Sequence, residues 1–282
     1  MIEIIRELDG LRRRVAGWKR AGLRIGFVPT MGNLHAGHHS LVKLARQHAD
    51  RVVASVFVNP TQFGPNEDFS RYPRTPEADA AGLEASGCDA LWLPSVETMY
   101  PYGVENTVTV HVPGVTDTLE GAHRPGHFDG VATVVARLFN QVQADVAVFG
   151  RKDYQQLAAI RYMARDLAFP LELVAAPTMR EADGLAMSSR NQYLSAEERP
   201  VAATIHRTLL AMRDGVLAGH SRAAVEQDAV SQLRDAGFVV DYAVVRTPEL
   251  GEPEAGGSGP FVALIAAKLG RTRLIDNLEF ER

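Results

Sequence analysis

Short apolar runs alternate with longer amphipathic segments through the first 180 residues of the chain. The runs VVASVFV and VAVF are apolar on both faces, which is typical of parallel strands that helices cover on each side. The pattern predicts strands at Arg24–Pro29, Val52–Val58, Ala90–Leu93, Thr107–Val112, Asp145–Phe149 and Glu172–Ala175. Helices are predicted between them at His38–His48, Thr75–Ser86, Asp129–Val142 and Tyr154–Leu167. Such alternation predicts an α/β fold with a doubly wound parallel sheet, in which ligands bind beyond the carboxyl ends of the strands.

The pattern changes near residue 180. Two helical stretches, 196–218 and 222–236, are followed by predicted strands at Val239–Arg246, Val262–Leu269 and Thr272–Asp276. We therefore predict a Rossmann-like domain over residues 1–180 and a smaller C-terminal α+β domain over residues 181–282, which we expect to act as a lid.

Composition excludes several other classes of protein. Hydrophobic residues make up 46% of the 282 residues and charged residues 23%, which is typical of globular proteins and excludes disorder and coiled coils. The net charge of -4 disfavours a nucleic-acid partner held by bulk electrostatics. The single cysteine, Cys88, excludes an internal disulfide framework. No segment has an apolar run as long as the hydrophobic region of a signal peptide or a membrane-spanning helix. We therefore expect a cytoplasmic protein without a membrane partner.

The first strand runs into the string FVPTMGNLHAGHHSLVKLA. His35 and His38 are three residues apart, so they share a face at the helix N-terminus if the helix starts one turn before His38. A helix N-terminus attracts phosphate, and imidazoles there donate hydrogen bonds to a polyphosphate. The alternatives are ordinary cap and surface histidines, or a metal cluster that includes His39. The position after the first strand favours the phosphate interpretation. His39 follows His38 directly, so its side chain points about 100° away from that of His38 around the helix, and we interpret it as a neighbour of the pair rather than a partner.

Neutral amides follow the second strand, at Asn59, Gln62 and Asn66. Amides at a strand's carboxyl end suit a hydroxyl or carboxylate ligand. The alternative is a turn-rich loop whose amides bond only to the backbone.

The third segment, HRPGHFDGV, stands before an amphipathic helix. Arg124 and His127 carry groups that attract an anion. We interpret Asp129 as the N-cap of that helix, and whether any of the three contacts a ligand is left open.

The fourth strand is followed by Gly150–Asp153, and Lys152 is the only lysine between residues 44 and 267. A lone lysine at the start of a helix suits phosphate neutralisation. Asp153 either caps the helix or contacts a ribose hydroxyl, and Gln156 lies one turn further on. Neither G-x-x-x-x-G-K-[ST] nor G-x-G-x-x-G occurs, which disfavours P-loop and nicotinamide chemistry.

The fifth segment contains Ser188, Ser189 and Arg190 in a row, and a guanidinium binds a triphosphate in bidentate fashion. Ser195 and Glu198 form a capping box. No G-x-S-x-G string occurs, and Cys88 precedes a short strand, so we interpret Cys88 as a core residue rather than a nucleophile.

These five segments, in this order, resemble the pantoate–β-alanine ligase family. The matching strings are PTMGNLHAGHHSLV, VFVNPTQFGPNEDFSRYPRT, HRPGHFDGV, FGRKDYQQL and READGLAMSSRNQYLS. The H-x-G-H string by itself occurs across a wider nucleotidyltransferase superfamily, whereas the combination is specific. The resemblance implies ATP-dependent ligation of (R)-pantoate to β-alanine through a pantoyl adenylate, with release of AMP and pyrophosphate. It also implies a homodimer that uses magnesium with ATP.

The resemblance also assigns the residues of the site. It implies an active role for His38. The need to neutralise phosphate charge gives His35, Lys152 and Arg190 a catalytic role as well, and we add Ser188 and Ser189 to the catalytic residues. The resemblance implies ATP binding by Met31, Gly32, Asn33, Leu34, His35, Ala36, Gly37, His38, Gly150, Arg151, Lys152, Asp153, Met179, Met187, Ser188, Ser189 and Arg190. It assigns Gln62 to contact with pantoate and β-alanine and Gln156 to contact with pantoate. Asn59 is added to the substrate-binding residues from its position after the second strand. The family commonly has valine where Met179 stands.

Phosphate oxygens and water are expected to hold the magnesium ion, with Asp79 as a candidate carboxylate nearby. His38 is interpreted as a hydrogen-bond donor to the transition state, and whether it also transfers a proton is left open.

Three other functions are compatible with parts of this pattern. Another H-x-G-H nucleotidyltransferase would release a stable nucleotidyl conjugate instead of AMP. A regulatory module would bind ATP without chemistry, although the full set of polar residues disfavours it. A metal enzyme built on His35, His38 and His39 would contain stoichiometric zinc.

Overall fold

The structure is a computed structural model that describes residues 2–64, 69–254 and 256–282. It divides into two compact units. The first comprises Met1–Gly150 with Ala159–Pro177, and the second comprises Arg151–Ala158 with Thr178–Arg282. Residues 151–158, which lie in the first predicted domain, therefore group with the second unit. Within the described ranges, no helix is long and apolar enough to cross a membrane.

A six-stranded parallel sheet forms the centre of the first unit, in the order β1-β4-β3-β2-β5-β6. Its strands are β1 (Glu3–Ile5), β2 (Ile25–Thr30), β3 (Arg51–Val56), β4 (Ala90–Trp92), β5 (Val146–Gly150) and β6 (Glu172–Ala176). The inner strands are buried on both faces, as their continuous apolar sequences predict. The predicted doubly wound parallel sheet is confirmed.

Helices cover both faces of this sheet. They are α1 (Leu8–Arg20), α2 (Ala36–His48), α3 (Pro76–Ala85), α4 (Val96–Met99), α5 (Glu120–His123), α6 (His127–Val142) and α7 (Tyr154–Asp166), whose first residues belong to the second unit. On one face, Leu41 and Val42 of α2 share a buried cluster with Val28 and Val52. On the other, the indole nitrogen of Trp92 donates to Gln141 of α6 at 3.2 Å.

Several parts of the first unit differ from the sequence-based prediction. β1, α1 and the short helices α4 and α5 are absent from the prediction. The three residues of β1 are too few to establish a period, whereas α1 buries Leu11 and Val15 at the spacing of an amphipathic helix, and this pattern is missed. The predicted strand Thr107–Val112 is wrong. Its alternating TVTVHV sequence runs alongside α6, where Thr107 Oγ1 accepts a hydrogen bond from Arg137 and the N–H of Val110 donates to Thr133 Oγ1. Side chains of a helix thus take the place of a partner strand.

The second unit contains a three-stranded antiparallel sheet in the order β7-β8-β9 and the helices that cover it. Its elements are α8 (Glu198–Ala202), α9 (Thr204–Leu217), α10 (Arg222–Asp235), β7 (Val239–Arg246), β8 (Pro260–Leu269) and β9 (Thr272–Glu281). The smaller α+β architecture is confirmed. The helix predicted over 196–218 divides at Ala203, and β9 continues five residues beyond its predicted end at Asp276. The reciprocal hydrogen bonds of the Ser195–Glu198 capping box are present.

Helix α6 fixes the 3₁₀ turn Pro60–Gln62, which follows β3. A Cβ atom on Gly130 would lie 2.3 Å from the carbonyl oxygen of Thr61 and 2.6 Å from its carbonyl carbon. Both neighbouring atoms belong to the backbone, so no side-chain rotation can make room. Glycine at position 130 therefore sets how closely this turn approaches the helix.

We predict that Gly130→Ala lowers the free energy of unfolding by about 1–3 kcal/mol, because the added methyl group must push two backbones apart. Gly17→Ala in α1 is the matched control, since nothing lies within 4 Å of a Cβ there. It should raise stability by about 0.5–1 kcal/mol through helix propensity. Denaturant unfolding of both variants checks this, and a Gly130→Ala protein as stable as wild type contradicts the packing argument.

Candidate active site

The loop between β2 and α2 has left-handed backbone at two consecutive residues. Gly32 has φ = 86° and Asn33 has φ = 52°. A Cβ on Gly32 would lie 2.9 Å from Val56 Cγ1, so glycine is required by both conformation and space. Asparagine is among the few other residues that adopt this conformation readily.

The carboxylate of Asp79, in the first turn of α3, holds this loop in place. Oδ2 accepts the N–H of Asn33 at 3.0 Å, and Oδ1 accepts the N–H of Leu34 at 2.8 Å. Oδ1 also accepts the hydroxyl of Thr75 at 3.1 Å, and the Asp79 residue is only 3% exposed. Hydrogen bonds to a charged acceptor are stronger than neutral ones. Both oxygens of Asp79 are thus engaged in fixing the loop.

The two predicted imidazoles meet at the start of α2. The ring centroids of His35 and His38 are 4.1 Å apart. His35 Nδ1 accepts the N–H of Gly37 at 3.1 Å, and His38 Nδ1 accepts the N–H of His35 at 3.3 Å. Because each Nδ1 is an acceptor, the neutral rings carry their proton on Nε2, which is then a hydrogen-bond donor.

His39 points to a different neighbour. A Cβ on Gly82 of α3 would lie 2.5 Å from His39 Cε1, so this ring packs α2 against α3. Burial lowers the pKa of His39, and the negative charge of Asp79 opposes that shift. Within the described ranges, no group of three or more His, Cys, Asp or Glu side chains is arranged to hold a metal ion.

The turn after β3 connects the predicted segment that contains Asn59 and Gln62 to the one that contains Met31. Asn59 Nδ2 donates to Gln62 Oε1 at 3.1 Å and to the carbonyl oxygen of Gly130 at 3.1 Å. Asn59 Oδ1 accepts the hydroxyl groups of Thr61 and Tyr100. The amide nitrogen of Gln62 in turn lies 2.9 Å from the sulfur of Met31. Asn59 is therefore saturated by the protein and orients Gln62. Asn66 lies outside the described residues.

The start of α6 supports the same turn. Arg124 donates to His127 Nε2 at 3.0 Å, so the ring proton is on Nδ1, which donates to the carbonyl oxygen of Gln62 at 2.8 Å. The N-cap of α6 is Gly126, and the prediction that Asp129 is the cap is wrong. Asp129 lies within the first turn, 2.9 Å from His111 Nδ1. This hydrogen bond raises the pKa of His111.

The remaining predicted residues belong mainly to the second unit. Lys152 is largely buried, and its ammonium lies 3.7 Å from the Asp153 carboxylate. Asp153 stands directly before α7, with its carbonyl oxygen accepting the N–H of Leu157 at 2.9 Å. Gln156 is half-buried in the first turn of α7.

The segment 179–190 folds back on itself in this unit. The N–H of Met187 donates to the carbonyl oxygen of Met179 at 2.9 Å. Ser188 caps a 3₁₀ turn, Ser189–Tyr193, by accepting the N–H of Arg190 at 3.3 Å. The side chain of Met179 is exposed.

A cavity of about 540 Å³ in the first unit borders Met31, Gly32 and Asp79. Its other walls come from residues that follow the carboxyl ends of β1, β3 and β4. This is the edge of a parallel sheet at which ligands bind.

Comparison with known proteins identifies the family. The family model described as pantoate-beta-alanine ligase matches residues 3–279. The chain belongs to the pantoate–β-alanine ligase family. It is 71% identical to the pantothenate synthetase of Stenotrophomonas maltophilia strain K279a, over 99% of this chain and 100% of that one.

Two solved structures of the family are similar over nearly the whole chain. The pantothenate synthetase of Thermus thermophilus is 48% identical, with a TM-score of 0.90 over 98% of this chain and 99% of that one. The pantoate-beta-alanine ligase of Francisella tularensis, in complex with beta-gamma ATP and beta-alanine, is 30% identical. Its TM-score is 0.81, over 99% of this chain and 97% of that one.

Several contributors to this site have no clear signal in the sequence. An acidic residue such as Asp79 in the first turn of a helix is ordinarily explained by the helix dipole. Tyr100 and Gly130 reach Asn59 and Thr61 from distant parts of the chain. Cys88 is buried, and burial raises the pKa of its thiol to about 12, so the interpretation as a core residue is confirmed.

We predict that Asp79→Asn lowers kcat/KM for ATP about 10- to 100-fold, because an amide cannot accept both loop N–H groups and leaves one of them unpaired. Glu77→Gln, an exposed acid in the same helical turn, is the control and should behave as wild type. Steady-state kinetics with a magnesium titration checks both variants. The magnesium concentration for half-maximal rate should not change, whereas an increased requirement would identify Asp79 as a metal ligand.

Proposed function

We propose that the loop Met31–His38 and the segments Gly150–Asp153 and Met187–Arg190 bind ATP while the enzyme activates pantoate. The family ligates pantoate to β-alanine through a pantoyl adenylate. The observation that carries the site assignment is the pair of imidazoles at the start of α2. Their Nδ1 atoms accept backbone N–H groups, which orients the Nε2–H groups as donors.

The reaction needs no nucleophile from the protein. The pantoate carboxylate attacks the α-phosphorus of ATP, and pyrophosphate leaves with the electron pair of the broken P–O bond. The amine of β-alanine then attacks the acyl carbon of the adenylate, AMP leaves, and the amine loses a proton. The protein has to place the reactants in line and stabilise the charge that develops on the phosphorus oxygens.

His35 and His38 supply hydrogen-bond donors for that charge. Lys152 and Arg190 add positive charge in the second unit, and Arg190 suits bidentate contact with phosphate oxygens. The Ser188 hydroxyl oxygen accepts the N–H of Arg190, and we assign its proton to donation to a phosphate oxygen. We assign Ser189 to the same phosphate contacts. Pyrophosphate is a good leaving group, so His38 acts as a donor to the transition state.

Gln62 is proposed to contact pantoate, and Asn59 to position Gln62 rather than to touch substrate. The Asn59 amide is fully used within the protein, whereas Gln62 joins the turn after β3 to Met31 of the ATP-binding loop. Gln156 is proposed as a second pantoate contact, and Met179 as a backbone contact to the adenine.

Magnesium is proposed to enter with ATP, held by phosphate oxygens and water. Two observations support this. Asp79 already accepts three hydrogen bonds from protein groups. The part of the chain that the structure describes contains no cluster of three ligating side chains. No protein residue is therefore assigned to the ion.

We also propose that the enzyme acts in the cytoplasm as a homodimer. The single cysteine, buried as a thiol, suits a reducing compartment in which ATP is abundant. The homodimer rests on the resemblance to the family.

His38→Ala and Lys152→Ala should each slow adenylate formation at least about 100-fold, because each removes a group that stabilises transition-state charge. His48→Ala, at the other end of α2, and Lys268→Ala, exposed in the second unit, are controls that should keep wild-type rates. Single-turnover formation of pantoyl adenylate measures the effect, and thermal unfolding verifies the fold. Near-native rates in either site variant would refute its assigned role.

Gln62→Ala should raise the KM for pantoate at least about 10-fold more than the KM for ATP, because the proposed contacts of Gln62 are with pantoate and β-alanine and not with ATP. Initial rates with each substrate varied in turn provide the test. Equal increases in both KM values would count against contact between Gln62 and pantoate.

A further inference from the structure

Two adjacent polar residues of β9, Asp276 and Asn277, are each only 5% exposed. Neither residue lies in any of the five sequence segments described above. Neighbouring residues of a strand point to opposite faces of the sheet, so this strand buries a polar side chain on each face. Buried polar groups are expected to have hydrogen-bond partners. The partners of this pair lie in, or directly before, the two segments of the second unit that are proposed to bind ATP.

Asn277 holds the turn that carries Lys152. Its Nδ2 atom donates to the carbonyl oxygen of Arg151 at 2.9 Å and to that of Lys152 at 2.8 Å. A side-chain amide nitrogen has two protons, and both are used on these consecutive carbonyl groups. Glu279, on the same face of β9, forms a 2.6 Å ion pair with Arg151. The backbone of this turn is thereby fixed to the strand immediately beside the Lys152 side chain.

Asp276 holds the start of the other segment. Its carboxylate accepts two hydrogen bonds from Arg180, at 2.6 and 3.0 Å. The guanidinium of Arg180 also donates to the carbonyl oxygens of Gly184 and Asn277. The Asp276 side chain is 4% exposed, and removal of one partner from such a buried pair leaves an uncompensated charge. Arg180 opens the fold-back that ends in the serine and arginine residues of the ATP-binding string.

We propose that Asp276 and Asn277 are positioning residues for adenylate formation. This inference rests on the proposed function, because it requires Lys152 and the Ser188–Arg190 string to contact ATP. Asn277 acts through the placement of Lys152, and Asp276 acts through Arg180. A displacement of about 1 Å in a charged group costs roughly 100-fold in rate, so a strand that fixes both segments controls activity without touching substrate.

The test is a graded series at position 277. Asn277→Asp keeps the shape of the side chain but replaces the donor nitrogen by an acceptor, which the two carbonyl groups repel. Asn277→Ser retains a single donor. We expect kcat/KM for ATP to fall at least about 30-fold in the aspartate variant and by an intermediate factor in the serine variant, with the KM for pantoate changed less than about twofold.

Thr272→Val is the matched control. Thr272 is a buried polar residue of the same strand, and its hydroxyl has no hydrogen-bond partner within the described part of the chain. This variant should keep wild-type kinetics. Thermal unfolding of every variant distinguishes a loss of fold from a displacement of Lys152 in a folded protein. If Asn277→Asp does not fold, the kcat/KM for ATP of Asn277→Ser provides the test. Folded variants with wild-type kcat/KM for ATP would overturn the inference.

A double-mutant cycle with Lys152→Ala separates this inference from the function on which it rests. If Asn277 acts through Lys152, Asn277→Asp costs little in the Lys152→Ala background. An equal cost in both backgrounds would refute the link to Lys152. Full activity of Lys152→Ala alone would refute the proposed role of Lys152. An impaired Lys152→Ala enzyme beside an unimpaired Asn277→Asp enzyme would refute only the positioning role.

Discussion

The buried carboxylate of Asp79 holds the backbone that connects β2 to α2, and the arrangement of the first unit's site depends on this interaction. The loop enters the left-handed region at Gly32 and Asn33, which directs the N–H groups of Asn33 and Leu34 toward one acceptor. With the loop fixed, α2 begins at Ala36 and the rings of His35 and His38 meet at its N-terminus. Met31 then contacts Gln62, so the segments proposed to bind ATP and pantoate share one framework.

Much of the fold could be predicted because hydrophobic periodicity is a local property. The central strands and the long helices other than α1 lie within a few residues of their predicted bounds. The failures have physical causes. The three-residue strand β1 is too short to establish a period. Residues 107–112 have the alternation of a strand but bond to side chains of α6. An alternating pattern shows that a segment is extended, and it does not show what the segment pairs with.

The candidate site also has a part that local sequence predicts and a part that depends on distant residues. His35, His38 and the capping pattern around them follow from neighbours in the chain, so sequence reasoning could place the two rings together. The contacts that orient these groups join distant residues, as Asp79 joins the loop and Asn277 joins Lys152. Asp129 shows the limit of local rules, because a good N-cap residue bonds instead to His111, 18 residues away. Supporting contacts of this kind appear only once the chain has folded.

The central claim is that this chain activates pantoate as an adenylate. Its most direct test is exchange of labelled pyrophosphate into ATP, measured with pantoate and magnesium in the absence of β-alanine. We expect exchange that depends on pantoate, followed by formation of pantothenate and AMP when β-alanine is added. No exchange in folded protein supplied with magnesium would contradict it, and a screen of other acids would then distinguish a different substrate from a site that only binds nucleotide.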